Sequence, residues 1–364
     1  MDVRMTTNPL SVGLAGCGAV TKLYYTPALQ ELERLGEVQV VALFDPNVAN
    51  IAPIQRAFRK AVTVPEFDEL ARLALDLVIV ASPPPYHASQ TIELLQAGMT
   101  VLCEKPMALS VAEGGAMITA ASDARQHLAV GLIRRFLPAT QMIHYLISRN
   151  VFGNVTSFTF REGEVFKWPI QSASYFRDNG VLRDVGVHIL DLLIWWWGEP
   201  EEIIYADDAI GGVDLNCRIH LKFPQGFSGE VQLSREFRLS NVCVIQCRDA
   251  NIHWDINESN QLRIEFRDSR YYVAGQLHTN SDVKKGLTIS GHVAGDFHQC
   301  FVGQIKNVIA ATRGLESLMV SGEAGLASLR AIESCYSQRA MLELPWFSEL
   351  EALRAQHIKN RQPR

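Results

Sequence analysis

Short apolar runs alternate with helical stretches through the first third of the chain, and this alternation constrains the fold more than any other feature. The runs VQVVALF (residues 38–44) and LVIVA (77–81) are almost continuously apolar, and HASQTIELLQAGM (87–99) predicts a helix that Gly98 ends. Strands that are buried on both faces of a parallel sheet have such uninterrupted apolar sequences. The pattern therefore predicts a doubly wound parallel sheet with helices on both faces.

The pattern changes after about residue 150, where strand-like runs follow one another with turn residues between them. In FSGEVQLSREFR (227–238), for example, apolar Val231 and Leu233 alternate with polar Gln232 and Ser234. Such alternation predicts a large, mainly antiparallel open sheet with one solvated face. We therefore expect an α/β domain over residues 1–135 and an α+β domain over residues 136–364, with closing helices at about 294–341.

Composition excludes several classes of protein. The net charge of −5 shows no basic footprint for nucleic acid. No apolar run reaches the roughly 18 residues of a membrane span, and the N-terminus has no apolar segment of the signal-peptide type. The 7 cysteines include no C-x-x-C pair, which predicts buried, reduced thiols rather than a disulfide framework. These features predict a cytoplasmic protein without a membrane or nucleic-acid partner.

A glycine motif joins the first predicted strand to the first predicted helix. Within VGLAGCGAVTKLYYTPAL (12–29), Gly16-x-Gly18-x-x-Thr21 lies at that junction. Glycines there allow a tight turn and close approach of the backbone to a pyrophosphate, which binds at the helix N-terminus. We therefore predict a Rossmann dinucleotide-binding domain in which Gly16, Gly18, Ala19 and Val20 contact the cofactor. Thr21 replaces the third glycine, which weakens the motif.

The second strand ends in VALFDPN, so that Asp45 follows it directly. An acidic side chain at this point accepts hydrogen bonds from the adenosine ribose, and its charge repels a 2′-phosphate. No Arg or Lys follows closely. The sequence therefore favours NAD, with NADP less likely to be the cofactor.

The stretch LRDVGVHILDLLIWWWGEP (182–200) contains Asp184-x-x-x-His188-x-x-Asp191. On a helix Asp184 and His188 share a face, and His188 titrates in the range in which it can transfer a proton. A zinc site needs a third ligand, and none is evident, so no metal is predicted. The sequence leaves two roles open for Asp191, either as a partner of His188 or as a structural carboxylate. The three tryptophans (195–197) are interpreted as packing residues.

Three segments together resemble the Gfo/Idh/MocA family, the group of glucose–fructose oxidoreductase and inositol dehydrogenase. They are VIVASPPPYHASQTIELLQAGMTVLCEKPMAL (78–109), VGLIRRFLPA (130–139) and GVLRDVGVHILDL (180–192). The resemblance implies a cis Lys105–Pro106 bond and catalysis by Lys105, Asp184 and His188. Arg183 departs from the family pattern, in which this position is usually apolar. The cofactor contacts that we expect in the first of these segments are Ser82, Pro83, His87, Glu104 and Lys105, with His87 open between direct contact and support of the loop.

The resemblance also implies an activity, namely NAD(H)-dependent hydride transfer to or from a carbinol or ketone of a sugar, an inositol or a related polyhydroxylated substrate. The alternatives are a glycosidase that oxidises its substrate transiently with bound NAD, and a non-enzymatic, NAD-responsive regulatory protein. A homodimer or homotetramer is expected from the family only. The candidate substrate contacts are Arg135, Lys167, Trp168, Arg177, Asp184, His188 and His292.

Overall fold

The computed structural model describes residues 8–165, 180–209, 212–268, 270, 272–276 and 297–343, with the single positions 353 and 357. The chain forms two compact units. The first takes Met1–Phe136 and Phe297–Leu329, and the second takes Leu137–Asp296 and Arg330–Arg364. Each unit is built around a β-sheet of its own.

The sheet of the first unit contains six parallel strands in the order β3-β2-β1-β4-β5-β6. Every residue of β4 and of β5 is buried, because helices cover both faces of such a sheet. The predicted doubly wound parallel sheet is confirmed. Its strands are β1 (Leu10–Ala15), β2 (Val38–Phe44), β3 (Val62–Thr63), β4 (Leu77–Val80), β5 (Thr100–Cys103) and β6 (Leu128–Val130).

Five helices connect these strands. The longest, from Val111 to Ala124, begins at Ser110, whose hydroxyl accepts a hydrogen bond from the Glu113 amide at 3.2 Å. The Glu113 carboxylate in turn accepts one from the Leu109 amide at 2.9 Å, so reciprocal capping fixes the start of this helix. The helices are α1 (Thr26–Arg34), α2 (Val48–Ala57), α3 (Phe67–Ala71), α4 (His87–Gln96) and α5 (Val111–Ala124).

The sheet of the second unit contains nine strands in the order β14-β13-β12-β11-β7-β10-β9-β8-β15. Most pairs are antiparallel, as predicted, while β7 with β10 and β8 with β15 are parallel. On β9 the buried side chains Cys217, Ile219 and Leu221 alternate with exposed ones. The strands are β7 (Val155–Gly163), β8 (Glu202–Asp207), β9 (Asn216–Lys222), β10 (Ser228–Ser234), β11 (Val242–Cys247), β12 (Ala250–Asp255), β13 (Gln261–Phe266), β14 (Tyr272–Gln276) and β15 (Ala340–Met341).

Helices α6 (Pro138–Ser148) and α7 (Val187–Trp197) belong to the second unit. The Trp196 indole N–H donates to the Thr140 carbonyl at 3.2 Å, which ties α7 to α6. The Trp197 ring packs against an aromatic cluster formed by Phe158, Phe223 and Phe227. The packing role predicted for these two tryptophans is therefore confirmed.

Helices α8 (Phe297–Thr312) and α9 (Gly322–Ser337) precede the last described strand, β15. The sequence places both with the second domain, whereas the structure assigns α8 and the first part of α9 to the first unit. The Phe301 ring stacks on Tyr24 with centroids 5.0 Å apart, and the Gln304 amide donates to the Val130 carbonyl at 3.4 Å. The apolar face of α8 thus completes the first unit.

Among the described helices, none is both long and apolar enough to cross a membrane. All seven cysteines are buried thiols.

Candidate active site

The glycine loop follows β1 and has a backbone that only glycine fits at its first position. Gly16 has φ +96°, and a Cβ there would lie 2.5 Å from the Ala81 carbonyl carbon and the Ser82 nitrogen. A Cβ at Gly18 would meet nothing within 4 Å, so open space lies beside that backbone. The Thr21 hydroxyl donates to the Gly16 carbonyl at 2.6 Å. Thr21, at the position of the third glycine, therefore closes the loop from within.

Asp45 follows β2 and is nine-tenths buried beside this loop. Its carboxylate accepts hydrogen bonds from the amides of Cys17 and Asn47, both at 2.8 Å, and from the Asn50 side chain at 3.1 Å. Burial and the charge of Asp45 raise the pKa of the Cys17 thiol to about 12. The carboxylate is therefore held in a fixed orientation beside the glycine loop, and Asn50 is a partner that the sequence does not indicate.

Lys105 follows β5 and is half-buried. Its peptide bond to Pro106 is cis, as expected from the family resemblance. Glu104 beside it is buried and accepts hydrogen bonds from the Tyr25 hydroxyl at 2.7 Å and from the Lys105 amide at 3.0 Å. A Cβ on Gly131 would lie 2.8 Å from the Glu104 carboxyl carbon, so Glu104 is packed tightly. Glu104 thus supports Lys105 from within the protein.

Ser82 and Pro83 follow β4 and lead into α4. Ser82 is partly accessible and Pro83 exposed, whereas His87 is 1% exposed. The His87 ring nitrogens lie 2.8 Å from the Pro106 carbonyl oxygen and 2.7 Å from the Ser82 carbonyl oxygen. This placement favours support of the loop, one of the two roles that the sequence leaves open for His87. Ala19 is exposed and Val20 partly exposed at the start of the first helical turn.

Four of the predicted positions thus lie at the carboxyl ends of parallel strands. Gly16 follows β1, Asp45 follows β2, Ser82 follows β4 and Lys105 follows β5. Open α/β sheets bind their ligands at this edge. Within the described residues, no group of three His, Cys, Asp or Glu side chains is placed to hold a metal ion.

In the second unit, Asp184 lies in a π-helical turn, Leu182–Gly186, that precedes α7. The Arg235 guanidinium pairs with its carboxylate, and the two side chains are 7% and 18% exposed. His188 is buried near the start of α7, and Asp191 is fully buried further along it. Arg235 follows β10 and lies 51 residues from Asp184, so no local spacing in the sequence could have identified it.

A buried polar cluster holds the chain where this turn begins. The Asp214 carboxylate accepts hydrogen bonds from the Leu182 amide and from the Tyr336 hydroxyl, both at 2.8 Å. A Cβ on Gly180 would collide with the same carboxylate. Burial raises the pKa of Asp214, and the Leu182 hydrogen bond opposes this. Asp214 therefore fixes the backbone just before Asp184.

Two guanidinium groups lie against the Tyr336 ring. The Arg183 and Arg339 guanidinium carbons are 5.3 and 5.0 Å from its centroid, within the range of cation–π attraction. Arg339 also pairs with buried Asp207 at 2.6 Å. This contact accounts for Arg183, since the arginine packs on Tyr336 at a position where the family pattern is usually apolar.

The remaining candidate substrate contacts divide into two groups. Arg135 is buried in the first unit, where its guanidinium donates to the Met319 carbonyl at 3.2 Å. A substrate contact by Arg135 stays a prediction. Four candidates lie outside the described residues, namely Lys167, Trp168, Arg177 and His292.

Comparison with known sequences identifies the class of protein. Residues 10–132 match the oxidoreductase family with an NAD-binding Rossmann fold, and residues 140–253 match the GFO/IDH/MocA C-terminal domain. The chain is therefore an oxidoreductase with an NAD-binding domain at the glycine loop. It belongs to the Gfo/Idh/MocA family.

Several characterised proteins are similar to this chain. A trans-1,2-dihydrobenzene-1,2-diol dehydrogenase of Oryctolagus cuniculus is 26% identical over 229 residues, which cover 61% of this chain and 68% of the relative. A D-glucoside 3-dehydrogenase of Escherichia coli K12 is 28% identical over 205 residues, which cover 55% and 57%.

The fold is shared with a solved oxidoreductase from Agrobacterium radiobacter in complex with NAD⁺, L-tartaric acid and magnesium. The TM-score is 0.77 at 15% identity, and the alignment covers 91% of this chain and 96% of that one.

Proposed function

We propose that the protein transfers a hydride between nicotinamide and a carbinol or ketone of a sugar, an inositol or a related polyhydroxylated compound. The observation that carries the proposal is the set of strand-end residues, in which the glycine loop, Asp45 and Lys105 occupy the ligand-binding edge of one parallel sheet. The names of both relatives describe dehydrogenases of hydroxyl-bearing compounds. This supports a polyhydroxylated substrate.

The residues of the first unit fit a dinucleotide. The space beside Gly18 is one that a Cβ would fill, and a pyrophosphate there would meet the N-terminal end of the helical segment that begins after the loop. Asp45 would accept hydrogen bonds from the adenosine ribose, with the charge that disfavours NADP. Ser82 and Pro83 would line the path toward Lys105. The bound nicotinamide would supply or accept the hydride.

The protein must move a proton while the cofactor carries the hydride. We assign this to Lys105 and His188, as acid/base or polarising groups at the substrate oxygen. The Lys105 ammonium can donate a proton or stabilise a developing alkoxide. Asp184 is assigned as the orienting carboxylate, and its pairing with Arg235 supports a fixed position for it.

Replacement of Lys105 tests this assignment. We expect Lys105→Ala to lower kcat by about 10²–10⁴-fold, the range that general acid–base groups contribute, and to leave NAD affinity nearly unchanged. The assay is a panel of sugars and polyols followed at the NADH absorbance in both directions, with Lys60→Ala, an exposed lysine of the same unit, as the control. Near-normal turnover in Lys105→Ala would remove Lys105 from the mechanism. Cleavage of a glycoside without net NADH would favour the glycosidase alternative.

A further inference from the structure

Among the described residues, the hydrogen-bond partners of the buried His87 ring are two carbonyl oxygens, which are both acceptors. Nδ1 lies 2.8 Å from the Pro106 carbonyl oxygen, and Nε2 lies 2.7 Å from the Ser82 carbonyl oxygen. A carbonyl oxygen only accepts, and a neutral imidazole carries one N–H. A neutral ring would therefore place a nitrogen lone pair against one of the two oxygens at hydrogen-bond distance, and such a contact is repulsive. Only the imidazolium, which carries two N–H groups, can donate a hydrogen bond to both carbonyl oxygens.

Glu104 is the matching negative group. Its Oε2 accepts from the Lys105 amide at 3.0 Å, and its Oε1 lies 2.7 Å from the Tyr25 hydroxyl. If Glu104 were protonated on Oε1, Tyr25 would have to accept that proton and donate instead to Gln304, whose Oε1 is 3.5 Å away. That bond would be at the limit of useful geometry. The ionised carboxylate keeps the short bond, so one charge distribution satisfies His87 and Glu104 together.

Burial opposes this charge distribution. Burial is the largest influence on both groups: it lowers the pKa of His87 below its usual value and raises that of Glu104, although the Pro106 and Ser82 contacts and the charge of Glu104 act in the opposite direction on His87. The two hydrogen bonds of the His87 ring favour the charged pair. If His87 and Glu104 were both neutral, one ring nitrogen of His87 would make a repulsive contact with a carbonyl oxygen. Buried charges persist where they are paired and hydrogen-bonded.

Other ionisable groups lie on the elements around α4. On α3, Asp68 pairs with Arg72 at 2.7 Å, and Glu69 is its neighbour in sequence. On α5, Glu113 caps the Leu109 amide. Helix α4 carries its own Glu93, and Tyr86 precedes it. After β5, the charge and the backbone amide of Lys105 act on Glu104, and burial and Glu104 raise the pKa of Cys103, the last residue of β5, to about 12. Glu104 is the ionisable group whose charge acts on the His87 ring.

We propose that His87 is a positioning residue held as an imidazolium, which clamps the carbonyl of Ser82 after β4 to the carbonyl of Pro106 beside Lys105. The clamp joins two loops at the ligand-binding edge of the sheet and thereby fixes the backbone that carries Lys105. The effect of the clamp on turnover rests on the proposed function, because the clamp acts through Lys105. The protonation state of His87 is independent of the proposed function.

The first test reads the protonation state directly. Protein labelled with ¹⁵N-histidine is examined by NMR at about pH 7.5, one unit above the usual histidine pKa of about 6.5. The His87 ring is assigned by correlation to its backbone in the wild-type chain, so no folded variant is needed. We expect both ring nitrogens to carry protons. A ring with one protonated nitrogen overturns the proposal.

The second test reads the clamp. His87→Gln retains an amide donor but cannot bridge both carbonyls or carry a charge, and Ser89→Ala, an exposed neighbour on α4, is the control. Because small displacements of a reacting group reduce rate sharply, we expect kcat to fall by about 10- to 100-fold in His87→Gln. We expect NAD affinity to change less than kcat, since the clamp acts on the backbone that carries Lys105. Full kcat in folded His87→Gln overturns the positioning role.

The two proposals fail separately. If no compound in the sugar and polyol panel is oxidised or reduced by the wild-type protein, the proposed function fails, whereas a doubly protonated His87 still upholds the imidazolium. If His87→Gln does not fold, the Ser82 and Pro106 ¹³C carbonyl shifts of the wild type are followed as pH rises. We expect both to move together with the His87 titration, and independent behaviour overturns the clamp.

Discussion

Asp45 illustrates how single side chains set the properties of the cofactor edge. Its two oxygens already accept hydrogen bonds from Cys17, Asn47 and Asn50. A ribose hydroxyl must therefore share oxygens that the chain itself has oriented. These hydrogen bonds hold the carboxylate in one orientation at the end of β2.

Neutralising Asp45 should narrow the preference for NAD over NADP. We expect Asp45→Asn to reduce the ratio of the two affinities by about tenfold, since repulsion between like charges a few ångströms apart is worth about 1–4 kcal/mol. Titration of the tryptophan fluorescence with each cofactor measures the ratio. Asp123→Asn on α5, an exposed acid of the same unit, is the control. Tighter binding of NADP than of NAD by the wild type would contradict this interpretation of Asp45.

Some residues of the site follow from the sequence and others do not. Gly16 and Asp45 could be placed because each directly follows an apolar strand, and the carboxyl ends of parallel strands meet at one edge. Lys105 is indicated by the family resemblance. Arg235 and Asp214 could not, because they reach the Asp184 segment from 51 and 32 residues away. Contacts at such separation depend on how the sheet assembles, which local periodicity does not encode.

At the scale of elements, the segment that carries Asp184 is a short π-helical turn rather than regular α-helix. Asp184 and His188 would share a face if both lay in a regular α-helix. A π-helical turn has a wider hydrogen-bond spacing than an α-helix, and the Arg235 guanidinium pairs with the Asp184 carboxylate. Turns of this kind are frequent at functional sites.

Loss of the Asp214 carboxylate should destabilise the start of this turn. We expect Asp214→Ala to lower the free energy of unfolding by about 2–4 kcal/mol, because it leaves the buried Leu182 amide and Tyr336 hydroxyl without their acceptor. Tyr336→Phe, which removes a single donor, should cost about 1 kcal/mol. Urea denaturation monitored by circular dichroism measures both. Equal stability of Asp214→Ala and the wild type would contradict the role of the cluster.

The same residue predicts a pH dependence. Because the pKa of Asp214 is raised in the folded protein, the folded state keeps this proton at pH values where the unfolded chain, with a pKa of about 3.9, has released it. The Asp214 contribution to stability therefore falls as pH rises from about 3.9 to the folded value. In Asp214→Asn this fall should disappear, and the difference between the two pH profiles of urea unfolding isolates it. Parallel profiles would show that Asp214 titrates normally.

At the scale of the whole molecule, the sequence predicts both sheets and their order along the chain. It does not predict that α8 belongs with the first unit. From its sequence alone, the apolar face of α8 could pack in either unit. Its place in the first unit depends on contacts such as the stacking of Phe301, on α8, against Tyr24. The aromatic contacts are made across more than 270 residues of sequence (301 − 24 = 277).

The buried thiols give this chain its own reporters of unfolding. Burial raises the pKa of Cys335 to about 12 and that of Cys247 to about 11, so almost no reactive thiolate is present near neutrality. Cys17, Cys103 and Cys300 lie in the first unit, and Cys217, Cys243, Cys247 and Cys335 in the second. Modification by a thiol reagent should therefore require opening of the unit that contains the cysteine.

We expect a thiol reagent to modify the native protein no faster than the protein unfolds, and to modify all seven cysteines in denaturant. Mass spectrometry of the labelled peptides at increasing urea concentration shows which cysteines of the first unit and which of the second unit have reacted. If the units open independently, three thiols react in one transition and four in another, so the chemistry of the core reports the stability of each unit without an added probe. Rapid labelling with retained circular dichroism would show that a buried thiol is accessible in the folded state.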